Sequence, residues 1–218
     1  MLGAMPVETF LIALTTFFAT IGPADLALVF LALTRDASPE QRKSFALRGV
    51  LIGGGILLFF AVFGEPILAL FGITLPALRT AGGVLLLLIS IDMVFARSSG
   101  GTSTTTEEDL EARAREDISV FPLATPLIAG PGAISAVILL IAGTEGDYLK
   151  DAMVIAGLLA ILLLTYVMLR LAIPIQRLLG VTGLHVVSRI VGVLLAALAV
   201  QFVFDGIRSS GLLPLAGA

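Results

Sequence analysis

Residues 20–29 read Thr20-Ile21-Gly22-Pro23-Ala24-Asp25-Leu26-Ala27-Leu28-Val29. They lie inside an apolar run, Thr9 to Thr34, long enough to cross a bilayer. A Gly-Pro pair breaks helices, and a carboxylate at the centre of a membrane helix costs on the order of 3 kcal/mol on translocon scales. A span that carries both is either kinked or built around a polar task.

The rest of the chain agrees that its solvent is lipid. Of 218 residues, 58% are hydrophobic and 13% charged, against about a quarter charged in soluble domains. Mean hydropathy is +1.09. The net charge of −3 gives no basic face for nucleic acid. No cysteine is present, which excludes thiol chemistry and Cys-ligated metal. The start, MLGAMPVETFLIAL, lacks a basic leader region and is expected to be a retained first span.

Five further segments qualify as spans: Gly49 to Phe63, Leu78 to Phe95, Ile118 to Thr144, Ala152 to Leu169 and Ser188 to Ile207. Two short apolar pieces, Pro66 to Gly72 and Pro174 to Gly180, are expected to extend spans two and five or to dip into the bilayer. The polar stretch Arg97 to Asp117 reads as a linker, with Glu111 and Arg115 spaced for a short solvated helix. Ten of the 13 Lys and Arg fall in the loop after span one, in this linker, and between spans five and six. The positive-inside rule puts these in the cytoplasm and both termini outside.

The two halves are similar at an offset of 108 residues. Gly22-Pro23 falls on Gly130-Pro131, Pro66-Ile67 on Pro174-Ile175, and Leu70, Gly72 and Thr74 on Leu178, Gly180 and Thr182. After a slip of one or two residues, Arg79 meets Arg189 and Gly82 meets Gly192. Three spans per half is an odd number, so the second copy must enter the membrane from the opposite side. The expected fold is therefore an all-α membrane protein of six transmembrane helices. It is a 3+3 inverted-topology repeat with discontinuous helices 1 and 4, in which residues 1–96 and 118–218 form the repeats and 97–117 link them.

Proline is accepted at a helix start with glycine before it, so each Gly-Pro is expected to end one half-helix and begin another. Two half-helix N-termini offer N–H groups and the opposing ends offer carbonyls, which together suit a zwitterion. Ordinary proline kinks are the alternative. Candidate binding residues are Thr20, Gly22, Pro23, Asp25, Thr125, Gly130, Pro131, Gly132 and Ser135. Asp25 is also the candidate for coupling to a proton or cation. Glu65 and Asp92 read as interfacial, with Arg97 a partner in reach of Asp92, and His185 sits in a loop-like stretch. Gly53 to Gly55 suit close helix packing. No metal-ligand cluster, nucleotide fingerprint or nucleophile-base set is present in the sequence, so neither cofactor nor enzymatic activity is expected.

The blocks FGITLPALRTAGGVLLLLISIDMVF (Phe71 to Phe95), FPLATPLIAGPGAISAVILL (Phe121 to Leu140) and SRIVGVLLAALAVQFVFDGI (Ser188 to Ile207), with the FLALT end of the first span (Phe30 to Thr34), resemble the MarC-related family of bacterial inner-membrane proteins. That family is also described as the neutral amino acid transporter family. The resemblance implies a six-span protein of the inner membrane, small neutral amino acids such as alanine, glycine and serine as partners alongside lipid, and export. Family members carry Asn-Pro or Asp-Pro in the first break. Here the acid follows the proline, in Gly22-Pro23-Ala24-Asp25. A channel or exporter for another small solute, a drug-like compound or metal ion, is the alternative.

Overall fold

The computed structural model describes residues 5–34, 37–95 and 117–211. Arg35 and the linker residues Arg97, Glu111 and Arg115 lie outside these. The described residues are helical throughout, with no strand among them: α1 (Pro6–Ile21), α2 (Pro23–Leu33), α3 (Pro39–Leu70), α4 (Leu75–Phe95), α5 (Ser119–Ile128), α6 (Pro131–Ala142), α7 (Tyr148–Arg170) and α8 (Ala172–Ser209). Five helical stretches are long and apolar enough to span a membrane, and α5 with α6 makes a sixth, bent by 55°. In this count α1 and α2 together form one 28-residue span.

Local chemistry sets the helix ends. Ser38 caps α3: its hydroxyl accepts from Gln41 N–H at 3.2 Å, and the Gln41 side chain accepts from Ser38 N–H at 2.8 Å, with Pro39 at the first helical position. This reciprocal cap starts α3 well before the expected span, so Arg42, Lys43 and Arg48 belong to the first turns of a helix and not to a loop. Gly72, at φ 68°, turns the chain into α4, where the Thr74 hydroxyl accepts from Ala77 N–H at 3.3 Å. The Asp147 carboxylate accepts from Leu149 and Lys150 N–H to start α7.

Two expectations need correction. Pro66 to Leu70 do extend the second span, inside α3, but Pro174 to Gly180 belong to the start of α8 and not to the fifth span, because the chain breaks earlier, at Leu171. For the same reason the backbone at His185 is helical and not loop-like.

α4 and α8 make the most extensive pairing, α1 packs on α7, and α3 packs on α5. Glycines allow these approaches. A Cβ at Gly83 of α4 would stand 2.7 Å from the Ala199 carbonyl and 2.8 Å from Val203 of α8. Reciprocally, one at Gly192 of α8 would stand 2.9 Å from Met93 and 3.2 Å from the Ser90 carbonyl of α4. Gly49 of α3 abuts Leu123 of α5, and Gly157 of α7 abuts Ala13 of α1. Gly53 and Gly54 meet Ile128 and Leu162, in keeping with a packing role, while Gly55 faces open space. The main core joins Ala13, Phe17, Phe30, Leu57, Leu123, Ile128, Val137 and Leu158.

Candidate functional site

The first break is a single residue. Gly22 adopts φ 59°, ψ 59°, which ends α1, and Pro23 starts α2. Gly22 N–H still donates to Phe18 O at 3.1 Å, and Leu26 N–H donates to Gly22 O at 2.9 Å. The second break is longer. α5 is wide-wound, with Leu123 and Ala129 N–H donating to carbonyls five residues back, at Ile118 and Ala124. Phe121 (φ −129°, ψ 128°) and Thr125 (φ −135°, ψ 123°) are extended within it. Each precedes a proline, and the residue before a proline favours extended backbone over the helical region. Gly130 is extended and α6 begins at Pro131. In a regular helix the carbonyls of Ala19 and Leu127 would accept from residues 23 and 131, but both are prolines and carry no N–H.

The breaks converge on one surface. Ala19, near the end of α1, joins the cluster of Leu86, Ile89 and Met93 of α4 with Leu195 and Ala199 of α8. Gly132, at the start of α6, lies so close to Leu86 and Ile89 that a Cβ there would stand 2.9 Å and 3.2 Å from them. α1 is in contact with α6, and α2 with α5.

The expected site residues divide by burial. Thr20, Pro23, Gly132 and Ser135 are buried, Gly22, Asp25 and Gly130 are half-buried, and Thr125 and Pro131 are exposed. The Asp25 carboxylate folds back over Gly22. Thr20 turns its hydroxyl to its own helix, donating to Phe17 O at 3.5 Å. Ser135 lies against Gly82 of α4, where a Cβ would stand 3.0 Å from its own. Glu65 is exposed on α3 and Asp92 half-buried near the end of α4. Among the described residues no three His, Cys, Asp or Glu gather as metal ligands.

Residues 7–210 match the family described as MarC family integral membrane protein. The chain belongs to the MarC family. Similar MarC relatives include a UPF0056 membrane protein of Methanocaldococcus jannaschii, 38% identical over 207 residues, covering 94% of this chain and 99% of the relative. YvbG of Bacillus subtilis is 35% identical, covering 92% and 93%, and YhcE of Escherichia coli is 36% identical, covering 88% of each. The family thus reaches archaea as well as bacteria. No solved structure matches the chain.

Proposed function

We propose that this MarC family chain is a secondary transporter that exports a small neutral amino acid by alternating access of two inverted halves. The solute would bind between the Gly22-Pro23 and Gly130-Pro131 breaks. The observation that carries the reading is the convergence of both breaks on Leu86 and Ile89. Each break frees backbone groups that need a polar partner at bilayer depth.

The inverted repeat is supported by exchange of the halves. Swap α1 with α5, α2 with α6, α3 with α7 and α4 with α8, and the principal pairings reproduce themselves: α1 on α7 becomes α5 on α3, and α2 on α8 becomes α6 on α4. Gly49 and Gly157 are 108 residues apart and pack against exchange-related helices. Such a pseudo-two-fold is the geometric basis of rocking around a fixed site.

Thr20, Ser135 and the first-turn N–H groups of Ala24, Asp25, Gly132 and Ala133, which follow Pro23 and Pro131, are assigned to the solute, and the Asp25 carboxylate to its ammonium or to a coupling proton. Thr125 and Pro131, being exposed, are assigned a rim position. Both termini are placed outside a cytoplasmic membrane, on the positive-inside count. Counterflow of labelled alanine, glycine and serine in proteoliposomes tests the function. An absent amino acid signal with a clear drug or divalent-cation signal would replace it with export of another solute.

A further inference from the structure

Side-chain hydroxyls inside the apolar helices of this chain satisfy themselves on their own backbone. Thr15, Thr20, Thr34, Thr80, Ser90, Thr144 and Thr165 each donate to a carbonyl three or four residues back. Thr16 of α1 and Ser135 of α6 do not. They are 2% and 6% exposed, and neither makes a hydrogen bond to a described residue. The Ser119 oxygen is the fully enclosed side-chain atom without a partner among the described residues, so the Thr16 and Ser135 oxygens retain some open surface. Buried hydroxyls without a protein partner mark a place for water or ligand.

The two residues occupy matching heights. α1 runs towards its break and α6 runs away from its own, and the two helices are in contact. Thr16 lies six residues before Gly22 and Ser135 five after Gly130, so each stands about 8–9 Å from its break at ~1.5 Å per residue. Helical side chains lean towards the N-terminus, which tips Ser135 back towards the break.

The two related positions lack a hydroxyl. At the 108-residue offset Thr16 corresponds to Ala124 and Ser135 to Ala27. Those alanines are 0% and 1% exposed. At this pair of positions α1 and α6 carry hydroxyls where α5 and α2 carry methyl groups.

We infer that Thr16 and Ser135 line a hydrated vestibule between the breaks and the membrane face at which α1 begins, and that Ala27 and Ala124 seal the other side. Hydroxyls donate to a carboxylate and accept from an ammonium, and carry no charge to trap either. They suit the passage of a small zwitterion. The solute class rests on the function proposed above; the hydration does not.

The chain has no cysteine, so a single introduced thiol reports its own surroundings. Full-length Thr16→Cys, Ser135→Cys, Ala27→Cys and Ala124→Cys variants are reconstituted, and an impermeant cationic methanethiosulfonate is added to either face. Reaction of the first two from the face where α1 begins, with the alanine pair inert, is expected. Failure of Thr16→Cys and Ser135→Cys to react overturns the vestibule, and reaction of the alanine pair from the other face overturns the seal. Thr16→Val and Ser135→Ala should raise the half-saturating alanine concentration about two- to tenfold with unchanged thermal unfolding. Unchanged saturation in these variants, with active wild type, removes the solute contact. A wild type inactive towards amino acids sinks the proposed function while the thiol labelling still decides the vestibule.

Discussion

The Asp25 carboxylate closes over Gly22: Oδ2 lies 3.6 Å from where a Gly22 Cβ would stand, and Gly22 itself is left-handed at φ 59°. An L side chain in that region costs about 1–2 kcal/mol, while its Cβ would make only ordinary contact with the acid. Gly22→Ala should therefore lower unfolding stability in detergent by roughly that amount and slow counterflow. Gly22→Asn should be milder, because Asn enters the left-handed region more readily. Equal losses for the two would mean that backbone handedness is not what Gly22 supplies.

Asp25→Asn keeps the shape of the side chain and removes its charge. Under the proposed coupling, alanine counterflow in this variant becomes insensitive to pH. Counterflow with intact pH dependence would take the coupling role away from Asp25.

At the α4–α8 crossing, Gly83 meets a backbone carbonyl, which cannot swing aside as a side chain can. Gly83→Ala is expected to destabilise by about 1–3 kcal/mol, the usual range for overpacking, and Gly192→Ala, facing Met93 and the Ser90 carbonyl, by a comparable amount. Gly55 faces open space. Gly55→Ala should be neutral or stabilise by up to ~1 kcal/mol, since alanine is the better helix former. Thermal unfolding of the three variants in one detergent makes the comparison.

Asp117 sits just before α5 and ties it to α3. The neighbouring Ser119, whose N–H donates at 2.8 Å, and Arg48 at 3.1 Å hold its carboxyl below the ordinary carboxylate range. A depressed carboxyl stabilises the fold at neutral pH, and that contribution is lost as pH falls through its folded value, which lies below the ordinary carboxylate range. Asp117→Asn should flatten this part of the acid-stability curve. Both partners are well exposed, so high salt should weaken the Arg48 share and leave the Ser119 share.

How much of this was legible in the sequence depends on which residue carried the signal. Gly22-Pro23 and Gly130-Pro131 mark the ends of α1 and α5 because proline deletes a donor whatever the surroundings. Pro66 deletes one too, yet α3 runs through it, since packing of Gly64 against Ile138 and burial of Leu68 hold the helix on both sides. The Ser38-Pro39-Glu40-Gln41 sequence carries the pattern of a helix cap, Ser with Gln three residues on and Pro between. The stretch at His185 reads as loop-like in the sequence, but membrane helices tolerate glycine and α8 is continuous. Thr125 was expected at the site from its neighbourhood. The proline after it forces extended backbone and turns it outward. Thr16 carried no sequence signal, because only the structure distinguishes a hydroxyl that bonds its own helix from one that does not.

α3 also serves as a depth gauge. Its ionic residues Arg48 and Glu65 are 17 residues apart, about 25 Å, close to the hydrocarbon thickness of a bilayer. Gly53 touches Ile128 and Gly64 touches Ile138, which calibrates α5 and α6 onto this scale. Gly130 then falls about 10 Å from the level of Arg48, near the middle. Ser135 falls only ~6 Å below the level of Glu65. On the α1 side, the layer between Ser135 and the level of Glu65 is therefore only about two water diameters deep.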